Sequence, residues 1–234
     1  MALSTPLWPK FARLENTHAL LSLGDSYTIG ESVAAQGAWP MQLARLLEQA
    51  LKQQWQVQII SKTGWSTDEL SAAINDADAA YEVHPPYDLV SLAIGVNNQY
   101  RARSVENYAD EFATLLQRTI AFAAGDSPHS KAQRVLVLSI PDWGQTPFAA
   151  NDARGAKKIA AQIDLFNAES RRQTLAAGAN FIDVTPLSRA KDPELLADDG
   201  LHPSAKAYAQ WAHAALDRAI FALEGAANRK FQQP

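Results

Sequence analysis

The sequence predicts an α/β protein built on a parallel sheet flanked by helices, and three observations carry that prediction. Five apolar, strand-like runs recur along the chain, segments with helical periodicity lie between them, and the connections are short. Strand and helix therefore alternate five times, with no internal repeat or low-complexity block to suggest another architecture.

The first run, HALLSLGD (18–25), is nearly continuous in apolar residues, as a strand covered on both faces should be. WPMQLARLLEQALKQQ (39–54) then sets Met41, Leu43, Leu46, Leu47 and Leu51 on one broad stripe, which predicts a helix. WQVQIISKTG (55–64) reads as the second strand. Behind it, Ser66-Thr67-Asp68-Glu69 offers N-caps with acids in the first turn, so another helix should start there. YDLVSLAIG (87–95) is the third strand, again almost wholly apolar. Ser104 opens the helical segment 105–124 with Asn107 three positions on, half of a capping pair, and Gly125 stands at its expected end. QRVLVLSIPD (133–142) is the fourth strand, followed by WGQTPFAANDARG (143–155), which reads as an irregular loop bordering a site. A helix over 156–177 closed by Gly178, a short strand NFIDVT (180–185) and a last helix over 204–225 complete the alternation.

Composition bounds the function. A chain of 234 residues can bury a sizeable core without staples, and it is read as one domain, 1–234, with its core over about 18–225. There is no cysteine, which removes disulfides, thiolate metal sites and a cysteine nucleophile. The net charge of -4 and the lack of a basic stripe give no footprint for nucleic acid. His18, His84, His129 and His213 show no metal-ligand spacing, so neither metal nor cofactor is expected. The first 18 residues lack the pattern of a secretory leader, and no run approaches the roughly 20 apolar residues of a membrane span. The expectation is a cytoplasmic protein acting on a small molecule.

In an open parallel sheet, ligands bind beyond the carboxyl ends of the strands. There the chain presents Gly24-Asp25-Ser26, Thr63-Gly64-Trp65 and Gly95-Val96-Asn97-Asn98, and ADDGLHPS (197–204) precedes the last helix. Together these pieces hold what acyl transfer needs: a hydroxyl, a base and donors for a developing oxyanion. Ser26 is the candidate nucleophile, or else a helix N-cap. His202 is the candidate base, with Asp199 three residues earlier able to accept from Nδ1–H; alternatively Asp199 caps a helix and His202 is merely solvated. Gly64 and Asn97 are candidate oxyanion donors, or else turn residues. Trp65, Tyr100, Trp143 and Phe148 lie on or near the same loops, either lining a substrate pocket or packing loop bases.

GDSYTIGE, the glycine of SKTGWSTDEL, IGVNNQY and DGLHPSAKAY resemble the four blocks of the GDSL-type, or SGNH, hydrolase family, in the family's order and over about residues 20–220. The resemblance implies a three-layer α/β/α sandwich whose five-stranded parallel sheet has the flavodoxin-like order 2-1-3-4-5. It implies Ser26 as nucleophile, Asp199 and His202 as acid and base, and an oxyanion hole of Ser26 N–H, Gly64 and Asn97. The family consists mostly of esterases, lipases, thioesterases and carbohydrate deacetylases. The expected reaction is therefore hydrolysis of a carboxylic ester through a serine acyl-enzyme, on short-chain or acetyl esters. Longer acyl chains, or a non-catalytic binding module on the same fold, are the alternatives. Tyr27 replaces the name-giving leucine, and Asn98 the aspartate that often follows the third-block asparagine; Asn98 is also a possible substrate contact. Asp25 is expected to shape the nucleophile turn by accepting backbone N–H groups rather than to do chemistry.

Overall fold

A computed structural model of the protein describes residues 14–79 and 83–230. Residues 1–13, on which the expectation about a leader chiefly rests, lie outside them, as do the outer ends of the range 1–234 read as one domain. Strand β1 (His18–Gly24) runs into the one-turn helix α1 (Ser26–Ile29), and α2 (Trp39–Leu51) returns the chain to β2 (Trp55–Ser61). Helix α3 (Thr67–Ala79) leads to β3 (Leu89–Ala93) and the short α4 (Val96–Tyr100). Then come α5 (Val105–Phe122), α6 (Pro128–Ala132) and β4 (Val135–Leu138). Helix α7 (Gly155–Ala176), β5 (Asn180–Ile182), α8 (Thr185–Ser188) and α9 (Ala205–Lys230) follow.

The strands pair in parallel in the order β2-β1-β3-β4-β5, the order that the family resemblance implies. The chain steps from β1 to β2 in one direction and then crosses back to β3, β4 and β5 in the other. Right-handed crossovers therefore put α2 on one face and α3, α5 and α7 on the opposite face. Helix α9 returns to pack on α2, while α5 packs against both α3 and α7, so the sheet is sandwiched between two helical layers.

Burial follows strand order. The nearly continuous apolar runs are the three inner strands: β3 and β4 are buried throughout, and β1 beyond His18. Ser22 and Ser91, paired in register on β1 and β3, satisfy each other by a 2.9 Å hydroxyl contact. The edge strand β2 mixes buried and half-buried positions, as a strand with one open side must.

The capping signals hold with two changes. Ser104 accepts from the Asn107 N–H at 3.1 Å, and the Glu69 carboxylate reaches back to the Ser66 N–H at 2.9 Å. Gly178 stands just past α7 in the left-handed region (φ 78). Gly125, however, lies beyond Ala123, which caps α5; it is there for space, since a Cβ would sit 2.6 Å from Ser130 Oγ. The stretch 143–155 is not irregular. It forms two 3-10 turns, Trp143–Gln145 and Pro147–Asn151, before α7 begins at Gly155. Asp142 caps the first by accepting from the Gly144 N–H, and Pro147 opens the second.

Candidate active site

Because all five strands run in parallel, the loops after β1, β2, β3 and β4 gather at one edge of the sheet, and the loop before α9 joins them. Asp25 leaves β1 in an extended conformation and accepts from the Tyr27 N–H at 3.1 Å, capping α1. Ser26 is thereby the first residue of a helical turn, where a backbone N–H has no acceptor within the helix. Burial pushes the Asp25 carboxyl up to about 7, despite the backbone N–H bonds that favour its charge.

His202 is held by its own turn. Asp199 Oδ1 accepts from the N–H groups of Leu201 and His202, both at 2.9 Å. Its Oδ2 lies 2.6 Å from His202 Nδ1, and His202 Nε2 lies 2.9 Å from Ser26 Oγ. With an ionised Asp199 the network assigns the proton to Nδ1, leaving Nε2 to accept from the serine hydroxyl. Partial burial pushes Asp199 up, but the hydrogen bonds from Ser32, the imidazole and the two backbone N–H groups outweigh it. The carboxyl is held well below the usual range. Tyr27, in the name-giving leucine position, packs its ring between His202 (5.1 Å) and Trp211 (6.1 Å) and so walls the imidazole in.

Ser32 was invisible to sequence reasoning. Its hydroxyl donates to Asp199 Oδ2 at 2.6 Å, across 167 positions, from a left-handed backbone (φ 65) unusual for a non-glycine residue. The chain of contacts Ser26, His202, Asp199, Ser32 thus begins and ends on one seven-residue segment, SYTIGES. No local motif announces it.

On the other side stand Gly64 and Asn97. Gly64 has φ 87, and an added Cβ would find nothing nearer than Arg101 Nη2 at 3.8 Å, so backbone conformation rather than space calls for glycine. Arg101 Nη2 donates to the Gly64 carbonyl at 2.7 Å. Asn97, at the second position of α4, lines the cleft and donates one of its two amide hydrogens to the Trp65 carbonyl at 2.8 Å. Ser26, Gly64, Asn97 and His202 border one cleft of about 150 Å³.

The sequence-selected substrate residues divide. Tyr100, Trp143 and Phe148 line the cleft and contact one another, Trp143 lying 5.3 Å from Tyr100 and 6.1 Å from Phe148. Trp65 and Asn98 are corrections. Trp65 does not line the cleft and packs half-buried against the core. Asn98 is fully buried, accepting from the Thr67 N–H at 3.1 Å and donating to its hydroxyl at 2.6 Å. An amide suits that place because it must both accept and donate, which a carboxylate cannot. The Thr63 hydroxyl, also on the cleft, is taken up by the Glu31 carboxylate. Among the described residues, no cluster of three or more His, Asp or Glu is placed to hold a metal ion. Among them, too, no helix is long and apolar enough to cross a membrane.

A model of the GDSL-like lipase/acylhydrolase family matches residues 22–210. No curated protein matches the sequence. Solved structures with the same fold include the acetylxylan esterase Axe2 from Geobacillus stearothermophilus, at 18% identity over 88% of this chain and 96% of that one, TM-score 0.65. The lipase Lip_vut3 from a goat rumen metagenome aligns at 18% identity over 86% and 97%, TM-score 0.62. A member of the lipolytic G-D-S-L family from Veillonella parvula aligns at 15% identity over 86% and 97%, TM-score 0.64. At these identities the likeness is one of fold.

Proposed function

Because the chain belongs to the GDSL-like lipase/acylhydrolase family, we propose that it hydrolyses carboxylic esters through a serine acyl-enzyme and prefers short acyl chains. Ser26 Oγ attacks the ester carbonyl while His202 Nε2 takes its proton, and Asp199 orients the imidazole and stabilises its charged form. The N–H groups of Ser26 and Gly64 and the second amide hydrogen of Asn97 receive the negative charge that develops on the carbonyl oxygen. The tetrahedral intermediate collapses as His202 returns the proton to the leaving alcohol. Water, deprotonated by the same imidazole, then releases the acid and restores Ser26. The observation that carries this reading is the continuous contact from Ser26 Oγ to His202 at 2.9 Å and on to Asp199 at 2.6 Å.

The same geometry argues for where the acyl chain goes. A tetrahedral carbon bonded to Ser26 Oγ turns its oxyanion toward Gly64 and Asn97, and its leaving oxygen toward His202. The fourth substituent, the acyl carbon, is left the wall formed by Tyr100, Trp143 and Phe148. That wall is aromatic, and the cleft's polar side chains are those assigned to the chemistry, apart from a Thr63 hydroxyl already engaged and the phenol groups of Tyr27 and Tyr100. An apolar acyl group therefore suits it better than a ring of sugar hydroxyls.

The test is hydrolysis of p-nitrophenyl acetate and butyrate, with a serine-reactive phosphonate as label. Ser26→Ala should lose label incorporation and nearly all turnover, since the remaining donors alone support only weak catalysis. Undiminished turnover by Ser26→Ala would refute the mechanism.

A further inference from the structure

A second cavity lies directly behind the cleft wall. It is a partly open pocket with a cavity volume of about 50 Å³, between the first turn after β4, the segment 187–196 and the start of α9. Three residues line both spaces: Tyr27, Trp143 and Leu201. Tyr27 is clamped between His202 and Trp211, and Leu201 is tied to His202 by the chain. Trp143 is the one shared residue with no part in holding the imidazole.

Trp143 is also latched. It is 2% exposed, and its indole N–H donates to Gln99 Oε1 at 2.8 Å. Gln99 is held in turn by a 3.0 Å bond from its own amide to Gln162. The Arg154 guanidinium lies 5.1 Å over the indole and is itself fixed by Asp152 at 2.8 Å. A side chain held by a hydrogen bond on one edge and a cation on its face does not swing aside for a substrate.

The space behind it suits hydrocarbon. Pro141, Leu187, Leu195 and Leu196 supply apolar wall. The polar side chains there are largely committed elsewhere: Asp142 to Arg189 at 2.8 Å, Ser188 to the Thr185 carbonyl at 2.7 Å, Thr146 to the Trp143 carbonyl at 2.7 Å. Asp192 pairs with Lys206 at 3.1 Å.

We propose that Trp143 is the residue that limits acyl chain length, a fixed partition between the reaction cleft and a latent site for a medium-length alkyl chain. This rests on the esterase reading above and on the acyl group facing the aromatic wall. With Trp143 in place, a chain of two to four carbons fills the cleft and a longer one meets the indole. With the indole removed, the chain continues through the space the ring vacates and into the second pocket, where each additional buried methylene is worth roughly fourfold in binding.

The experiment compares kcat/KM for p-nitrophenyl esters from acetate to dodecanoate in wild type and Trp143→Ala, with Trp143→Leu as the variant that preserves apolar packing should the alanine fail to fold. The readout is the ratio of octanoate to acetate, in which any general loss of activity cancels. The ratio should rise at least tenfold in the variant. A parallel series of acetate esters with larger alcohols should keep the wild-type order. An unchanged octanoate ratio overturns the proposal, and so does a gain confined to the alcohol series, which would mean that Trp143 faces the leaving group. Loss of acetate hydrolysis in Ser26→Ala tests the esterase reading separately, whichever way the chain-length series falls.

Discussion

Ser32 fills a role that its residue type alone would not suggest. It is exposed, stands in a left-handed conformation (φ 65), and yet places its hydroxyl 2.6 Å from the oxygen of Asp199 that faces the imidazole. A donor there holds the carboxylate in place and draws off part of its negative charge. Ser32→Ala should lower kcat about five- to tenfold, in keeping with the ~1 kcal/mol of a modest hydrogen bond, with KM little changed. Ser32→Gly removes the same hydroxyl but relaxes the backbone, and the two variants should behave alike. A glycine variant with wild-type kinetics would mean that strain, not the hydroxyl, was at work. Of the residues named from sequence, Tyr100, Trp143 and Phe148 reach the cleft because their loops end at its rim. Trp65 and Asn98 do not, since the one packs on the core and the other fills a buried bridge to Thr67.

At the scale of elements, the junction between β3 and α4 positions Asn97. Gly95 turns the chain there with φ 128, and a Cβ on it would lie 2.6 Å from the Tyr108 ring and 2.9 Å from Ile140 Cδ1. Both neighbours are buried in the core and neither can retreat. Gly95→Ala should therefore cost about 1–3 kcal/mol of stability. It should also lower kcat, because the strain is relieved by displacing α4 and its amide donor. Chemical denaturation and steady-state kinetics on one preparation check both, and a stable variant with full activity would refute the assignment. Most elements were legible because their signals are local: a stripe along α2, a Ser104 cap on α5, inner strands marked by unbroken apolar runs. The 3-10 turns after β4 were missed. Turns of three and five residues carry too short a period to register, although Asp142 and Pro147 stood at the right places to start them.

For the whole molecule, buried Asp25 links folding to pH. Its carboxyl titrates near 7 in the folded protein against an ordinary value of 3.8. Between those values the native state retains a proton that the unfolded chain has released, so native stability falls as pH rises through that window. Carboxylates held low by partners, such as Asp68 beside Arg103 and Glu169 beside Arg172, act in the opposite sense and at lower pH. Asp25→Asn keeps an acceptor for the Tyr27 N–H but does not titrate. The melting temperature of the variant relative to wild type should therefore climb from pH 4 to pH 7, while ester hydrolysis stays within a few-fold. A difference that does not change with pH would place Asp25 in a more polar setting, and abolished turnover with intact folding would make it part of the mechanism.

The amino-acid sequence by itself determined the alternation of strand and helix, which strands are covered on both faces, and which loops carry a hydroxyl, an imidazole, a carboxylate and amide donors. Periodicity and capping act within a few residues, so they survive in the linear order. The tertiary structure alone decided that Ser26 meets His202 across 176 positions, that Ser32 braces Asp199, and that Trp143 rather than Trp65 faces the cleft. Those contacts depend on how strand order and loop packing bring distant segments to one edge of the sheet, and no local spacing encodes that convergence.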